Sequence, residues 1–242
     1  MKLIEQPWEK RNLNLSTVEY KFEICDEANN ISDSVLNNEF YDYQICRVPS
    51  GKMDLVYRLQ ENGFKFSEMN YQLSASLKKL ELNSLQNRII NELSYHSSNA
   101  NEIELVFECI YSGVFDTDRI ILDPYFKKEQ SGIRFANWAK QEIEARTSEI
   151  FIVENNGNKL GFFILKHVND KISYSLLAAL FDDHELGLGF STIYFPMFES
   201  KKEGKKKITT GVSSNNLNSL KIHLEMGYQI TSADYLLIKH IR

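Results

Sequence analysis

The chain has 242 residues, 43% of them hydrophobic and 12% aromatic, and a net charge of -5 at pH 7. That apolar content fills one large core or two smaller ones and excludes bulk disorder, while the acidic balance excludes non-specific nucleic-acid binding, which a basic surface must drive. Three scattered cysteines (Cys25, Cys46 and Cys109) make no disulfide framework or zinc motif, and no apolar run approaches the roughly 20 residues of a membrane span.

From the start, Met1-Lys2-Leu3-Ile4-Glu5 lacks the apolar core of a signal peptide, so a cytoplasmic protein without membrane, nucleic-acid or metal partners is expected. Val48-Pro49-Ser50, a helical stretch from Met53 to Gln60, and Gly63-Phe64 ahead of a strand carrying Glu68 make a small strand-helix-strand unit. Leu80 to Ala100, rich in Asn, Ser and charge, reads as a linker. The division expected is 1–80 as an N-terminal lobe, 81–100 as linker and 101–242 as the main domain.

Ile103 to Gly113 and Ile133 to Arg146 have helical apolar spacing, with an irregular stretch from Val114 to Ser131 between them. Asn155-Asn156-Gly157-Asn158 is a tight turn joining two strands, Glu149 onward and Leu160 to Val168, and Asn169-Asp170 leads into a third strand, Lys171 to Phe181. His184-Glu185-Leu186-Gly187-Leu188-Gly189 then precedes an amphipathic helix to Ser200. Such a glycine turn either aims backbone N–H groups at an anion or is simply a tight turn. The lysine run from Lys201 to Lys207 lies about 20 Å from it by the helical rise and reads as a solvated helix end. Ile208 to Val212 is a strand, Asn216 to Met226 a helix, and Tyr228 to Ile241 a final extended segment. Val212-Ser213-Ser214, this last helix and Gly227-Tyr228 echo the first unit, with the Ser214 to Gly227 spacing equal to that from Ser50 to Gly63.

The run from Ser214 to Tyr228 resembles the last core helix of the GNAT superfamily, in which an Asn opens the helix, an aromatic proton donor follows and Gly-Phe closes it. Asn216 and His223 hold those positions, about two turns apart on one face; read alone, Asn216 is a helix cap and His223 an exposed helix residue. A closer resemblance, to the dTDP-fucosamine acetyltransferases and related dTDP-amino-sugar N-acyltransferases, rests on features in order along most of the chain. They are Trp8-Glu9, Gln44 to Ser50, Leu59-Gln60 with Gly63-Phe64, Glu68, Arg119, Ser131-Gly132 with Arg134-Phe135 and Trp138, and Ser232 to Leu236. The chain differs from that pattern in having His184 where Gln or Arg opens the glycine loop and His223 in place of Tyr.

The resemblance implies an α/β (α+β) GNAT fold: a mixed, largely antiparallel sheet flanked by helices, with an N-terminal partial GNAT-like lobe. It implies transfer of an acyl group from acyl-CoA, acetyl-CoA or a larger one such as 3-hydroxybutyryl-CoA, to the amine of a dTDP-linked amino sugar, in the synthesis of lipopolysaccharide or O-antigen precursors. The pantetheine would run along the strand edge at Ala179, Leu180 and Phe181, the amides of Gly187, Leu188, Gly189 and Phe190 would hold the pyrophosphate, and Asn216 would touch the pantetheine arm. His223 would serve the leaving sulfur and Glu68 the amine. Arg119 would meet nucleotide phosphates, and Asp116 and Asp118 sugar hydroxyls or the amine; read alone, the Asp116 to Arg119 segment is a polar turn with a surface ion pair. Trp138 reads as core. A homodimer, a GNAT acting on a protein amine, and a non-catalytic acyl-CoA-binding module are the open alternatives on assembly and activity.

Overall fold

The computed structural model describes residues 1–36, 38–182 and 187–241. The first half runs β1 (Lys2–Glu5), α1 (Pro7–Leu13), β2 (Thr17–Lys21), a 3-10 turn (Ala28–Asn30), α2 (Asp33–Leu36), β3 (Tyr43–Pro49), α3 (Met53–Glu61) and β4 (Lys65–Ser76). Then follow α4 (Ser84–Ile90), β5 (Ser94–Ser97), α5 (Ala100–Tyr111), α6 (Arg119–Leu122), α7 (Lys128–Glu144), β6 (Ser148–Asn155), β7 (Asn158–Asn169) and β8 (Ile172–Leu180). The chain closes with α8 (Ser191–Lys202), β9 (Lys207–Ser213), α9 (Leu217–Glu225) and β10 (Gln229–His240).

Among the described residues all ten strands join one sheet in the order β1-β2-β3-β10-β4-β9-β8-β7-β6-β5. It is antiparallel except for β2 with β3 and β8 with β9. The hairpin between β6 and β7 turns on Asn156 (φ 49°) and Gly157 (φ 82°), the left-handed conformation that an Asn-Gly pair adopts at least cost. The last strand, β10, lies between β3 and β4, antiparallel to both. The N-terminal strands therefore share one sheet with the C-terminal ones.

Residues 81–100 differ from the expected linker: they hold α4 and β5, and β5 pairs with β6. The asparagines that read as loop composition are helix caps. Asn83 Oδ1 accepts from Gln86 N at 2.9 Å while Gln86 Oε1 accepts from Asn83 N, and Asn99 and Glu102 form the same box at the start of α5. The irregular stretch is shorter than expected, because Asp118 caps α6 and α7 already begins at Lys128. Among the described residues no helix is long and apolar enough to cross a membrane.

Cross-strand partners share a face of the sheet. On one face α8 packs Ile193, Phe195 and Met197 over Leu73, Phe163, Leu165 and Ile208, and α3 packs Leu55, Val56 and Leu59 over Val18, Val48 and Leu237. On the other face α5 and α7 cover β6 to β8 through Val106, Ile110, Ala136, Ala139, Phe162 and Ile164. Gly132 lets these two helices close up, since a Cβ there would stand 2.9 Å from the Tyr111 carbonyl oxygen. On that same face α1 and α6 cover β3 and β10, with Leu13 and Ile120 over Tyr43, Ile45 and Leu236. Between these two apolar patches β4 and β9 are lined with polar side chains. That gap positions the site.

Candidate active site

The parallel partners β8 and β9 pair only from Ile172 with Lys207 to Tyr174 with Thr209, and then separate. Beyond that point an irregularity at Leu176 interrupts the pairing of β8 with β7, and Ala178, Ala179 and Leu180 are half-buried rather than sealed. A wedge opens there toward the ends of both strands. Gly161 on β7 holds the strand in place, because any Cβ would meet the Ala179 carbonyl oxygen at 2.4 Å.

The glycine turn stands at the wedge's mouth. Gly187 has a φ of +92°, the Leu188 carbonyl accepts from Ser191 N at 2.8 Å, and Phe190, the residue before α8, offers no side chain to cap it. Among the described residues the first-turn amides thus have no side-chain acceptor, and the helix dipole adds positive character there. That arrangement suits an anion. His184, expected to open this turn, lies outside the described residues, as do Asp183, Glu185 and Leu186.

Behind the wedge, Asn216 caps α9 by accepting from Ser219 N at 3.0 Å, so the capping role is real. His223 is buried rather than exposed, with a relative exposure of 7%. Its Nδ1 lies 2.8 Å from the Ser219 carbonyl oxygen, an acceptor only, so Nδ1 carries the hydrogen of the neutral ring and Nε2 is left as an acceptor. Burial lowers its pKa against that hydrogen bond. His223 is neutral at physiological pH.

Glu68 lies on β4 and is 4% exposed, not a surface carboxylate, and its Oε2 has no hydrogen-bond partner. Burial raises its pKa, opposed by the Ser213 hydroxyl and the Arg119 charge. Along the same face from Glu68, alternate β4 residues oppose alternate β9 residues: Asn70 with Ser213, Gln72 with Gly211, Ser74 with Thr209, Ser76 with Lys207. Gln72 Nε2 donates to Asn70 Oδ1 at 2.9 Å. Gly211 makes room for the side chains that lie over it, since its Cβ would stand 3.3 Å from both Gln72 Nε2 and the Tyr174 hydroxyl. The result is a polar trough beside the wedge.

Over the Glu68 end lies a buried charge cluster built from α1, α6 and α7. Glu9, fully buried, accepts from Arg119 Nη2 at 2.6 Å and from Arg134 Nε at 2.9 and 3.1 Å. Asp118 accepts from Ile121 N and Ser131 Oγ, lies 3.6 Å from Arg134, and keeps a buried Oδ2 without a hydrogen bond. Burial pulls the Arg119 pKa down, but Glu9, with Tyr43, Asp118 and Glu68, outweighs it and holds the guanidinium above its ordinary value. The Tyr43 hydroxyl, buried without a partner, is pushed up to about 12 mainly by burial.

Arg119 Nη2 is thus held by Glu9, while its buried Nε has no hydrogen-bond partner. The segment is not a surface ion pair, because Arg119 and Glu9 side chains are 13% and 0% exposed. Asp116, by contrast, is exposed. Trp138 is half-buried among the aromatics flanking the α5 and α7 core, as expected. The sequence reading missed Tyr43 and the pairing of Glu9 with Arg134; Trp8-Glu9 and Arg134 were visible only as points of resemblance.

No family model and no curated protein sequence matches this chain. Solved structures do. A functionally unknown conserved protein from Staphylococcus epidermidis aligns with a TM-score of 0.62 at 14% identity, covering 93% of this chain and 84% of that one. A GCN5-related N-acetyltransferase from Sphaerobacter thermophilus aligns with a TM-score of 0.56 at 8% identity, over 83% of this chain and 60% of that one. Another, from Kribbella flavida, gives 0.54 at 12% identity over 93% and 81%. With its wedge between parallel strands, its glycine turn and its large, mostly antiparallel sheet flanked by helices, this chain has the fold of the GCN5-related N-acetyltransferases.

Proposed function

We propose that the protein transfers the acyl group of an acyl-coenzyme A to the primary amine of a small acceptor. The observation that carries this reading is the parting of β8 and β9 beside an uncapped helix N-terminus, with a polar trough on the far side. The wedge offers unpaired backbone to a pantetheine arm along Ala179 to Phe181, and the amides of Gly187 to Phe190 offer a diphosphate its donors. Past Leu176, the N–H groups of β8 that face away from β7, beyond the end of its pairing with β9, suit the thioester oxygen as it gains charge. Asn216 borders the pantetheine path.

In the trough, Glu68 reaches toward Ser213, one pleat from Gly211. It receives the proton that the nitrogen sheds, through an intervening water. One proton leaves nitrogen and one arrives at sulfur, so the reaction needs no net proton. His223, neutral with its hydrogen on Nδ1, can give sulfur a proton only after gaining one. Its acid role therefore depends on the proton released by the acceptor.

The finer reading follows the sequence resemblance: the acceptor is a dTDP-linked amino-deoxy sugar and the acyl group acetyl or 3-hydroxybutyryl, in cell-surface polysaccharide precursor synthesis in the cytoplasm, by a chain that forms a homodimer. The amide and hydroxyl side chains of Asn70, Gln72 and Ser213 supply partners for sugar hydroxyls. The test is release of free thiol from acetyl-CoA and 3-hydroxybutyryl-CoA with dTDP-amino sugars, free amino sugars and peptides as acceptors. Amine-dependent thiol release supports the reading. Tight acyl-CoA binding without turnover on any amine would sink it.

A further inference from the structure

Gly211 stands two residues past Thr209, the last β9 residue that pairs with β8. Leu77 N donates to Lys206 O and Ser214 N to Met69 O, so even-numbered residues along β9 turn their backbone groups to β4 and odd-numbered ones, Gly211 included, turn theirs to the side that β8 leaves. The last paired residue of β8, Tyr174, reaches into that space. Its ring packs against the core beneath α5 and α7, and its hydroxyl lies 3.3 Å from where a Gly211 Cβ would be, as does Gln72 Nε2, with Asn70 Oδ1 at 3.8 Å. Burial raises the Tyr174 pKa, opposed by a hydrogen bond from the Gly211 backbone and by the Arg47 charge, so the hydroxyl keeps its proton at neutral pH. Gln72 is held in turn, since its Nε2 donates to Asn70 Oδ1 at 2.9 Å. Side chains from β8 and β4 thus converge on one glycine. They divide the trough into a part that holds Glu68, Asn70 and Ser213 and a part that holds Ser74, Ser76, Thr209 and Lys207.

We propose that Tyr174 and Gln72 are the end wall of the acceptor site, and that Tyr174 is the residue that limits how far the acceptor extends from its amine along β9. The inference deepens the acyltransferase reading and rests on it for the position of the amine, at Glu68. From Glu68 to Gln72 β4 pairs with β10 without irregularity, and at ~3.3 Å per residue these strand positions span about 13 Å, from which both side chains take their own reach. One ring or a short chain fits in that length. A longer chain that runs on beside β9 must break the contacts that hold Tyr174 and Gln72 over Gly211, which leaves buried polar groups unpaired. Selection therefore comes from closure rather than from charge, and acts on length whatever group carries the amine. Gly211 is what lets the wall form, because a Cβ there would force the two side chains apart.

The test is release of free thiol from acetyl-CoA by the whole chain with a ladder of amines, ethanolamine, aminobutanol, aminohexanol and amino-octanol, at one pH. Wild type is compared with Tyr174→Ala, which opens the wall, with Tyr174→Phe, which keeps the ring, and with Gln72→Ala, which removes the other half; intrinsic differences among the amines cancel between variants. Wild type should use amino-octanol less well than ethanolamine by roughly 10-fold or more in kcat/KM. Tyr174→Ala should remove most of that difference through a lower Michaelis constant for amino-octanol, at unchanged coenzyme A affinity by calorimetry. Tyr174→Phe should keep the wild-type length profile, and Gln72→Ala should narrow it in the same direction as Tyr174→Ala. The proposal is overturned if wild type is indifferent to length, if Tyr174→Ala keeps the wild-type ratio, or if it weakens every amine equally or loses coenzyme A, which would make Tyr174 a prop of the wedge. Should Tyr174→Ala fail to fold, an unchanged ratio in Gln72→Ala overturns it. Coenzyme A binding without thiol release on any amine would remove the acyltransferase reading itself, and the wall with it.

Discussion

Arg119 and Glu68 differ in what burial does to them. The Arg119 guanidinium is buried with its counter-charge, Glu9, at 2.6 Å, so removing it strands a fully buried carboxylate beside a single remaining cation, Arg134. Breaking one side of a buried pair typically costs about 3–5 kcal/mol. Arg119→Ala should therefore lower the melting temperature by on the order of 10 °C, read by calorimetry, with no selective rise in the acceptor's Michaelis constant. A selective rise at unchanged stability would restore its role as a phosphate ligand. Glu68 is buried without such a partner, and its pKa is raised above its ordinary 4.5 chiefly by burial. Its folded form holds a proton more firmly than the unfolded chain, so its contribution to stability is fully present below about pH 4.5 and is lost as pH rises through the folded pKa. Glu68→Gln keeps the shape and removes the charge. It should raise the melting temperature at pH 7 to 8, with little change near pH 4, while lowering turnover by about 10²-fold or more, the usual scale of general-base loss. A variant with wild-type turnover would end the base assignment.

At the scale of elements, the glycine turn and the strand wedge depend on different glycines. Gly161 packs backbone against backbone, whereas a Cβ at Gly189 would meet only Ile222 Cδ1, at an ordinary 3.7 Å. Gly189→Ala should therefore fold and bind coenzyme A much as wild type does, while Gly189→Glu places a negative charge among the first-turn amides of α8 and should weaken coenzyme A at least 10-fold without loss of melting temperature. Equal coenzyme A affinity in both variants, measured by titration, would move the diphosphate elsewhere. The elements themselves were largely legible in the sequence. The Asn156-Gly157 turn, the strands on either side of it, the helix after the glycine turn and the helix from Asn216 all follow from apolar period and turn chemistry. What misled was polarity: Asn83 and Asn99 read as linker because capping residues and loop residues are the same residue types. The candidate site was less legible still. Glu68 and His223 were found by resemblance, but their burial, and the commitment of Arg119 to Glu9, depend on contacts between residues far apart in sequence, which no local pattern encodes.

Over the whole molecule, the two halves that the sequence separates are joined by one strand. Residues 101–242 hold α5 to α7, β6 to β9 and the wedge, and look like a self-sufficient domain; yet β10 pairs with β3 and β4 along nearly its full length, and β9 has β4 as its antiparallel neighbour. The echo between the unit from Val48 to Phe64 and the unit from Val212 to Tyr228 takes physical form here, because each strand-helix-strand unit contributes strands to a sheet that the other completes. Cut at residue 100, the C-terminal part would leave β10 with no hydrogen-bonding partner and bare one edge of β9. Leu236 and Ile238 would lose Tyr43 and Ile45, and Leu237 would lose Val18, Val48 and Leu59. An unpaired, apolar edge of that length templates aggregation. Expressed alone, residues 101–242 should fail to give a dispersed amide NMR spectrum or a cooperative thermal transition, and should recover both, with coenzyme A binding, when co-expressed with residues 1–100. The intact chain should unfold in a single calorimetric transition, because no cut through the sheet separates two complete cores. A soluble, cooperatively folded 101–242 fragment that binds coenzyme A by itself would show instead that the N-terminal lobe is an accessory to a finished domain, and that Glu68 and the trough floor of β4 are supplied to a wedge already able to hold its thioester.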